Sequence, residues 1–535
     1  MFQPDELKKN QPLTWSPGVG TDVWELFCAC IRGDLGAVKD LIAKDPSLAR
    51  CHYHYRKPIY FAVRENRLDV TAFLLERDPD PTGLAVHDSL LEIAQDRGYA
   101  EMQRLLETKL EELHGASARG EVLAAAIRAH DVARVKATLD AAPEQIHAGD
   151  ARGNRPIHWA VMTRHIDVID ELLARGADIN AQRTYGARPI QLANGDYHHR
   201  GWRDVPKDHP TSPRAVIDHL RARGAYCDIC TAAHIGDAAR VKDLLDQDPT
   251  LANRPSDYVT YYECSGTPIR NAAAAGHFEI VRLLLDRGAD PNLPEEHIAP
   301  HGHALYAAAT NGHYEIAQLL LERGAHPNPE VESSADALSR VISNKDSKML
   351  ELLCSYGAAR SVNLLAHHDD LETAAAVFAA NPALADDPEA FEGAQSEAFA
   401  RLMLRYQPDL ARRVCVVKSR NVTELLFAHG MDASRPNWLG VTVLHELARR
   451  GNLDDAAYFI DRGADLHARD DDICSTPLGW AAKFGQKSMV ELLLQRGAKT
   501  NLPDDPSWAT PRAWATRRGH AEIAALLKLH GATGA

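Results

Sequence analysis

Several places in this chain gather residue types that could do chemistry. Asp257, Tyr258, Tyr261, Tyr262 and Glu263 fall within seven residues. His297, His301 and His303 follow at spacings of four and two, and Tyr306 comes next. Three imidazoles on one loop could gather around a metal ion. Zinc sites draw their ligands from a more rigid frame than one loop, so no metal ligand is assigned. The same residues offer a second chemistry. A Tyr, His and acid cluster over 257–306 could hold a small polar ligand, or act on it by general acid–base catalysis. Cys227 and Cys230 stand three apart. With no second pair nearby they read as two small apolar residues on a helix face, not as a redox or metal pair. The sequence contains no Gly-rich phosphate loop and no Gly-x-Ser-x-Gly elbow, and no catalytic residue is assigned.

The elements that must position these residues repeat. Thr267-Pro268-Ile269 is followed by Ala272 to Ala275, Gly276-His277, Ile280, Leu283-Leu284-Leu285 and Gly288-Ala289-Asp290. The pattern returns from His303 to Asn328, from Ser475 to Asn501 and from Ala509 to Ala532. A period near thirty-three residues with two short helical segments marks a solenoid. Each part has a physical task. Thr267 can cap the first helix, and Pro268 sits where no N–H bond is lost. Small Ala272, Ala273 and Ala274 let neighbouring helices approach closely. Ile280, Leu283 and Leu284 recur at three and four, on one face of a second helix. Gly276 and Gly288 end the two helices.

These motifs resemble the ankyrin repeat. Thr476-Pro477-Leu478 with Gly497-Ala498, Thr510-Pro511 with Gly519-His520, and Pro156-Ile157-His158 with Gly176-Ala177-Asp178 carry the resemblance further. So does Val443-Leu444-His445 with Gly463-Ala464-Asp465. Endings such as Asp45-Pro46-Ser47-Leu48-Ala49, Asp248-Pro249-Thr250-Leu251-Ala252 and Asn381-Pro382-Ala383-Leu384-Ala385 resemble a bacterial variant. The resemblance implies an all-α ankyrin repeat solenoid, a curved superhelix of helix-turn-helix units with hairpin finger loops. It spans about residues 21–532, after an N-terminal extension over 1–20. Residues 21–334 hold about nine units, with long fingers at 253–266 and 292–302 and an insertion at 194–213. Residues 335–435 read as degenerate ankyrin-like repeats, 436–532 as C-terminal repeats and 533–535 as a tail.

Function is then a question about the concave face, which the resemblance builds from fingers and first helices. Further fingers carry His52 to Lys57, Tyr185 and Asp470-Asp471-Asp472. On the first helices Arg270, Asn271, Tyr306, Trp159, Trp480 and Trp514 are expected to reach the groove. The three Trp are oversized for a core of Ala, so partial exposure is expected of them. His158 and His445 read instead as hydrogen-bonding residues between neighbouring loops. Ankyrin grooves are open and wet, which works against shifted pKa values and so against an enzyme. The expected function is a scaffold binding a partner protein or peptide. The alternative is a small-ligand binder or enzyme at 257–306. Asp196 to Arg203, in the 194–213 insertion, reads as a lip or a self-association contact.

Composition agrees. The 535 residues are 45% hydrophobic and only 6% aromatic, which fits a core of Ala and Leu. A net charge of -14 argues against nucleic acid, whose binders carry a basic stripe. No run of eighteen apolar residues suggests a membrane span. The first residues, Met1 to Lys9, lack the apolar stretch of a signal peptide. Nine scattered Cys argue for reduced thiols and a cytoplasmic location. No cofactor is expected.

Overall fold

Thr267 shows how a unit starts. Its hydroxyl accepts from the Arg270 amide at 3.3 Å, and Pro268 takes the first helical position. Both follow from the chemistry of a helix N-terminus, where amides lack partners and proline loses nothing. The resulting helix, Pro268–Ala274, is seven residues long. A second helix, Phe278–Asp286, returns beside it and buries Ile280, Val281, Leu284 and Leu285. A computed structural model describes residues 1–78, 88–115, 118–150, 153–183, 186–195, 210–258, 263–295, 298–332 and 335–532 of the chain. The insertion at Asp196 to Arg203, and Tyr185, Tyr261, Tyr262 and His297, lie outside them.

The helix pair recurs in all-α order. First helices Ile229–Ile235, Pro268–Ala274, Ala304–Thr310 and Ala337–Ser343 pack each on the next. Second helices Ala238–Gln247, Phe278–Asp286 and Tyr314–Glu322 pack likewise. The only paired strands among the described residues, Glu330–Val331 and Ala335–Asp336, make a two-residue antiparallel finger. The stretch read as degenerate also holds helix pairs. They include Val362–His367 with Leu371–Ala380 and Pro388–Gly393 with Glu397–Tyr406. The Asp-Pro endings become short 3-10 helices, Pro46–Arg50 and Pro249–Asn253, capped by Asp45 and Asp248. A further one, Pro143–His147, escaped the sequence pattern because Ala142 stands where the capping acid should be.

Two polar ladders tie unit to unit. His277 reaches the carbonyl of His234 at 3.0 Å, His313 that of Ala274 at 3.3 Å and His520 that of Lys483 at 3.2 Å. Gln486 and Arg67 donate at the same place in their own units, to Arg449 and Ile31. These side chains lie across the glycine of the unit before. A Cβ on Gly276 would meet the His313 ring at 2.8 Å, and its φ of +80° is itself costly for any other residue. Asn66, Arg164, Lys345 and Asp369 take the left-handed conformation at the equivalent first-helix ends. In the second ladder, Asn253 and Asn292 each donate to the glycine carbonyl that ends the next unit. They also accept an amide two residues further on. Such bonds satisfy the glycine carbonyl just past each of these second helices.

The chain divides into two compact units. One consists of Asn10–Ala94 and Ala100–Ala359, and the other of Met1–Lys9, Gln95–Tyr99 and Arg360–Ala535. No described helix is long and apolar enough to cross a membrane.

Candidate functional site

In the first unit, Arg270, Asn271 and the two long fingers meet in a buried polar network. Asn271 is fully buried. Its oxygen accepts from the Cys264 amide at 2.8 Å, and its amide donates to the carbonyls of Ser265 and Thr267. Cys264 holds a φ of +64°, so Asn271 fixes a left-handed turn that closes the finger. Glu295, 4% exposed, accepts from the Thr267 amide at 3.2 Å and from its hydroxyl at 3.1 Å. The second finger is thereby bolted onto the N-terminus of the preceding unit's first helix. Arg270 Nε donates to His303 Nδ1 at 3.2 Å, and the same nitrogen lies 3.8 Å from Glu295. Burial and the Arg270 charge push the His303 imidazole below its usual pKa, against the pull of Glu295. Burial alone would raise the Glu295 carboxyl, but His303 and Arg270 outweigh it and hold it below the usual range.

This geometry corrects the expectation that these residues present themselves to an open groove. Tyr258, Arg270, Asn271, His303 and Tyr306 are all buried, at 2, 6, 0, 6 and 8% exposure. They are buried because the fingers fold back onto the first helices, where backbone amides and carbonyls need partners. The residues left at the surface are Asp257, Glu263 and His301. Glu263 accepts a hydrogen bond from Asn194 and lies 3.9 Å from His234. His301 stacks on His326 of the next finger, ring centroids 4.5 Å apart. Burial, then the His326 charge, lowers its pKa.

The three tryptophans are also corrected. Trp159, Trp480 and Trp514 are 6, 2 and 1% exposed. Partial exposure was expected because indole is large, but its N–H has a designated acceptor in the finger. Trp159 Nε1 donates to Asp150 at 2.9 Å, and Trp480 Nε1 donates to Asp470 at 2.9 Å. An Asp nine or ten residues before the Trp is the signal that would have found this pairing. Asp470 also accepts from the amides of Asp472, Ile473 and Ser475. Burial and the neighbouring Asp472 raise its carboxyl to about 6, although the donated N–H bonds favour the ionised form. Trp514 differs. Asp505, nine residues before it, is engaged by Arg469 at 2.7 Å and by the Leu502 amide. The buried Trp514 Nε1 has no hydrogen bond.

His158 and His445 tie loops together. His158 Nδ1 accepts from Arg155 N and its Nε2 meets the Ala181 carbonyl. His445 Nδ1 accepts from Thr442 N, and its Nε2 meets the Ser475 carbonyl at 3.2 Å. Cys227 and Cys230 are buried, and burial raises the Cys227 thiol to about 11. Only Cys230 lies on a helix; Cys227 precedes the cap Asp228, so the helix-face reading is corrected for it. Among the described residues, no three His, Cys, Asp or Glu side chains gather as a metal site would require.

Three stretches match known repeats. Residues 229–331 match ankyrin repeats (3 copies), 444–494 match ankyrin repeats (many copies), and 152–184 match an ankyrin repeat. The chain is therefore an ankyrin-repeat protein with an all-α solenoid fold. It is similar to two rice (Oryza sativa subsp. japonica) proteins named "Probable E3 ubiquitin-protein ligase XBOS33" and "Probable E3 ubiquitin-protein ligase XBOS32". The first is 29% identical over 211 residues, 33% of this chain and 40% of the relative. The second is 27% identical over 197 residues, 33% of this chain and 39% of the relative. The chain thus spans about two fifths of the length of these curated relatives. Ankyrin repeats point to protein–protein interaction.

Proposed function

We propose that the chain is a scaffold that binds a partner protein or peptide along its ankyrin groove, with the 253–266 and 292–302 fingers of the first unit as the principal contact. The observation that carries this reading is the division of labour within the fingers. Asn271, Glu295, Arg270 and His303 are consumed in anchoring the described ends of the two fingers. Asp257, Glu263 and His301 remain at the surface beside these anchors. Anchored finger ends lower the entropy lost on binding, and the exposed Asp257 and Glu263 carboxylates beside the His301 imidazole set specificity and on-rate. The alternative, a small polar substrate at 257–306, is weakened by the same facts, because the buried Glu, His and Arg already engage one another. Tyr261, Tyr262 and His297 keep their place in the proposed surface by sequence position alone. Ubiquitin ligation, named for the relatives, does not carry over, since the likeness covers less than half of them. We place the protein in the cytoplasm on its scattered thiols.

The test compares two triple variants against partners retained by the wild-type chain. Asp257→Ala, Glu263→Ala and His301→Ala together should weaken binding by about 2 kcal/mol or more and leave the helical far-ultraviolet signal intact. The control places Arg282→Ala, Glu322→Ala and Arg323→Ala on the second helices. Loss of binding in the control alone refutes the site.

A further inference from the structure

In the second unit, a segment from far up the chain lies on the last two repeats. Asp96 is only 10% exposed. Its carboxylate sits between two guanidinium groups, 2.7 Å from Arg518 Nη2 and 3.5 Å from Arg517 Nε. The next residue, Arg97, extends the other way. Its guanidinium lies 4.6 Å from the centroid of the Trp508 ring and donates to the Asp472 carbonyl. Trp508 is half-buried and meets Trp514 edge-on, ring centroids 5.9 Å apart. Lys483 and Arg517 both lie 4.4 Å from the Trp514 ring, so cations crowd one end of this surface in a chain of net charge -14. Arg517 also donates to the Trp508 carbonyl, which fixes the fork against the aromatic shelf.

The described side-chain contacts read two consecutive residues of the segment. The Arg517 and Arg518 fork reads a carboxylate, as paired guanidinium groups do. The Trp508 face and the Asp472 carbonyl read a guanidinium stacked flat and donating at its edge. Gly98 follows with a φ of +70°, so the chain turns away immediately after the pair. Ion pairs with arginines about a quarter exposed add little individually. A segment of the same chemistry, offered by another protein, can therefore replace it.

We propose that this surface of Asp472, Trp508, Arg517 and Arg518, backed by the buried Trp514, is a second binding site, for an Asp-Arg segment of a partner protein, and that Gln95–Tyr99 occupies it in cis. The site is distinct from the 253–266 and 292–302 fingers, so the two readings stand or fall separately. The probe is a fluorescently labelled peptide of residues 93–100, measured by anisotropy against the full chain. The wild-type chain should bind it weakly. The Asp96→Ala, Arg97→Ala chain, its cis occupant disarmed, should bind several-fold and up to about tenfold tighter, the range expected from losing the two Asp96 ion pairs and the Arg97 stacking contact. Adding Arg517→Ala and Arg518→Ala to that chain should abolish binding. A peptide with Ala at both charged positions should bind none of the chains. Asp257→Ala, Glu263→Ala and His301→Ala should leave peptide binding unchanged. Equal binding by the wild-type and disarmed chains, or binding that survives loss of both arginines, overturns the proposal. Loss of the helical far-ultraviolet signal in the disarmed chain also overturns it, because the segment would then be a fixed part of the fold.

Discussion

Asp470→Asn separates an acceptor role from a charge at one buried position. The carboxylate accepts through both oxygens. Oδ1 takes the amides of Asp472 and Ile473 at 2.7 Å each, and Oδ2 takes Ser475 N at 3.1 Å and Trp480 Nε1 at 2.9 Å. All four groups are donors. The substituted side chain has one oxygen, so either orientation of its amide turns the NH2 toward two donors. The favoured orientation abandons whichever pair water can reach. Asp472 and Ile473 are half-buried, whereas Ser475 and Trp480 are 1 and 2% exposed. The oxygen should therefore turn to the buried pair, leaving two partly hydrated amides. The bound is about 1–3 kcal/mol for each unmet donor, and partial hydration holds the total near 3 kcal/mol. At Asp150 the described bonds come from Asn154 and Trp159; an oxygen kept at the Oδ1 position still accepts from the Asn154 amide and side chain, whose own oxygen stays on Arg183 Nη1 at 2.6 Å, and only Trp159 Nε1 loses its acceptor. Asp150→Asn should cost about 1 kcal/mol, one unmet donor. Hydrogen exchange of the full chain, read by mass spectrometry, gives both values in place. Amides of 470–486 should exchange about a hundredfold faster in Asp470→Asn, and those of 153–163 less than about tenfold faster in Asp150→Asn. Equal effects, or less than about threefold at Asp470, would show that these carboxylates do not hold their fingers.

His445 gives a pH dependence of defined sign. The unfolded chain protonates this imidazole near its ordinary value of 6.5, while burial lowers it to about 4 in the folded chain. Over that window the unfolded state binds more protons. The stabilisation is present above about 6.5 and declines as pH falls toward 4, by about 3 kcal/mol in all. His445→Gln should flatten this acid limb in the exchange of residues 443–460, and an unchanged limb would exclude His445 as its source. Gly276→Ala should lower stability by about 1–3 kcal/mol, because the new Cβ meets the His313 ring and the backbone stays left-handed. Lys345→Gly, at the equivalent first-helix end with a φ of +58°, should instead raise stability by up to about 1 kcal/mol. Thermal melts of both variants decide whether left-handed strain, and not residue identity, governs these positions.

The repeat was legible because its signals are local. Thr267-Pro268, the Ala run and Gly276-His277 each act within a helix turn or across one neighbouring unit, and the pattern places them directly. Exposure within the fingers was not legible. Tyr258, Arg270 and Asn271 look like a recognition surface when ranked by residue type. Their burial depends on how far each finger folds back, which is set by the Asn271 bonds to the turn and by the Glu295 bond to Thr267. These bonds join residues up to 28 positions apart, beyond any local rule. The Trp misreading has the same root. Size argued against a core of Ala, but the acceptor that makes burial affordable is an Asp in the finger. The Asp96 contact to Arg518 spans 422 positions and leaves no periodic trace at all.

A photo-reactive phenylalanine analogue placed singly at Asp257, Glu263 and His301, and at Arg282, Glu322 and Arg323 as controls, tests the proposed function most directly. After irradiation in cells of the source organism, the adducts are resolved by mass and the cross-linked peptides sequenced. A finger surface that binds a partner predicts one protein cross-linked from all three finger positions and from none of the second-helix positions. Adducts confined to Arg282, Glu322 and Arg323 would place the partner on the second helices and contradict the account.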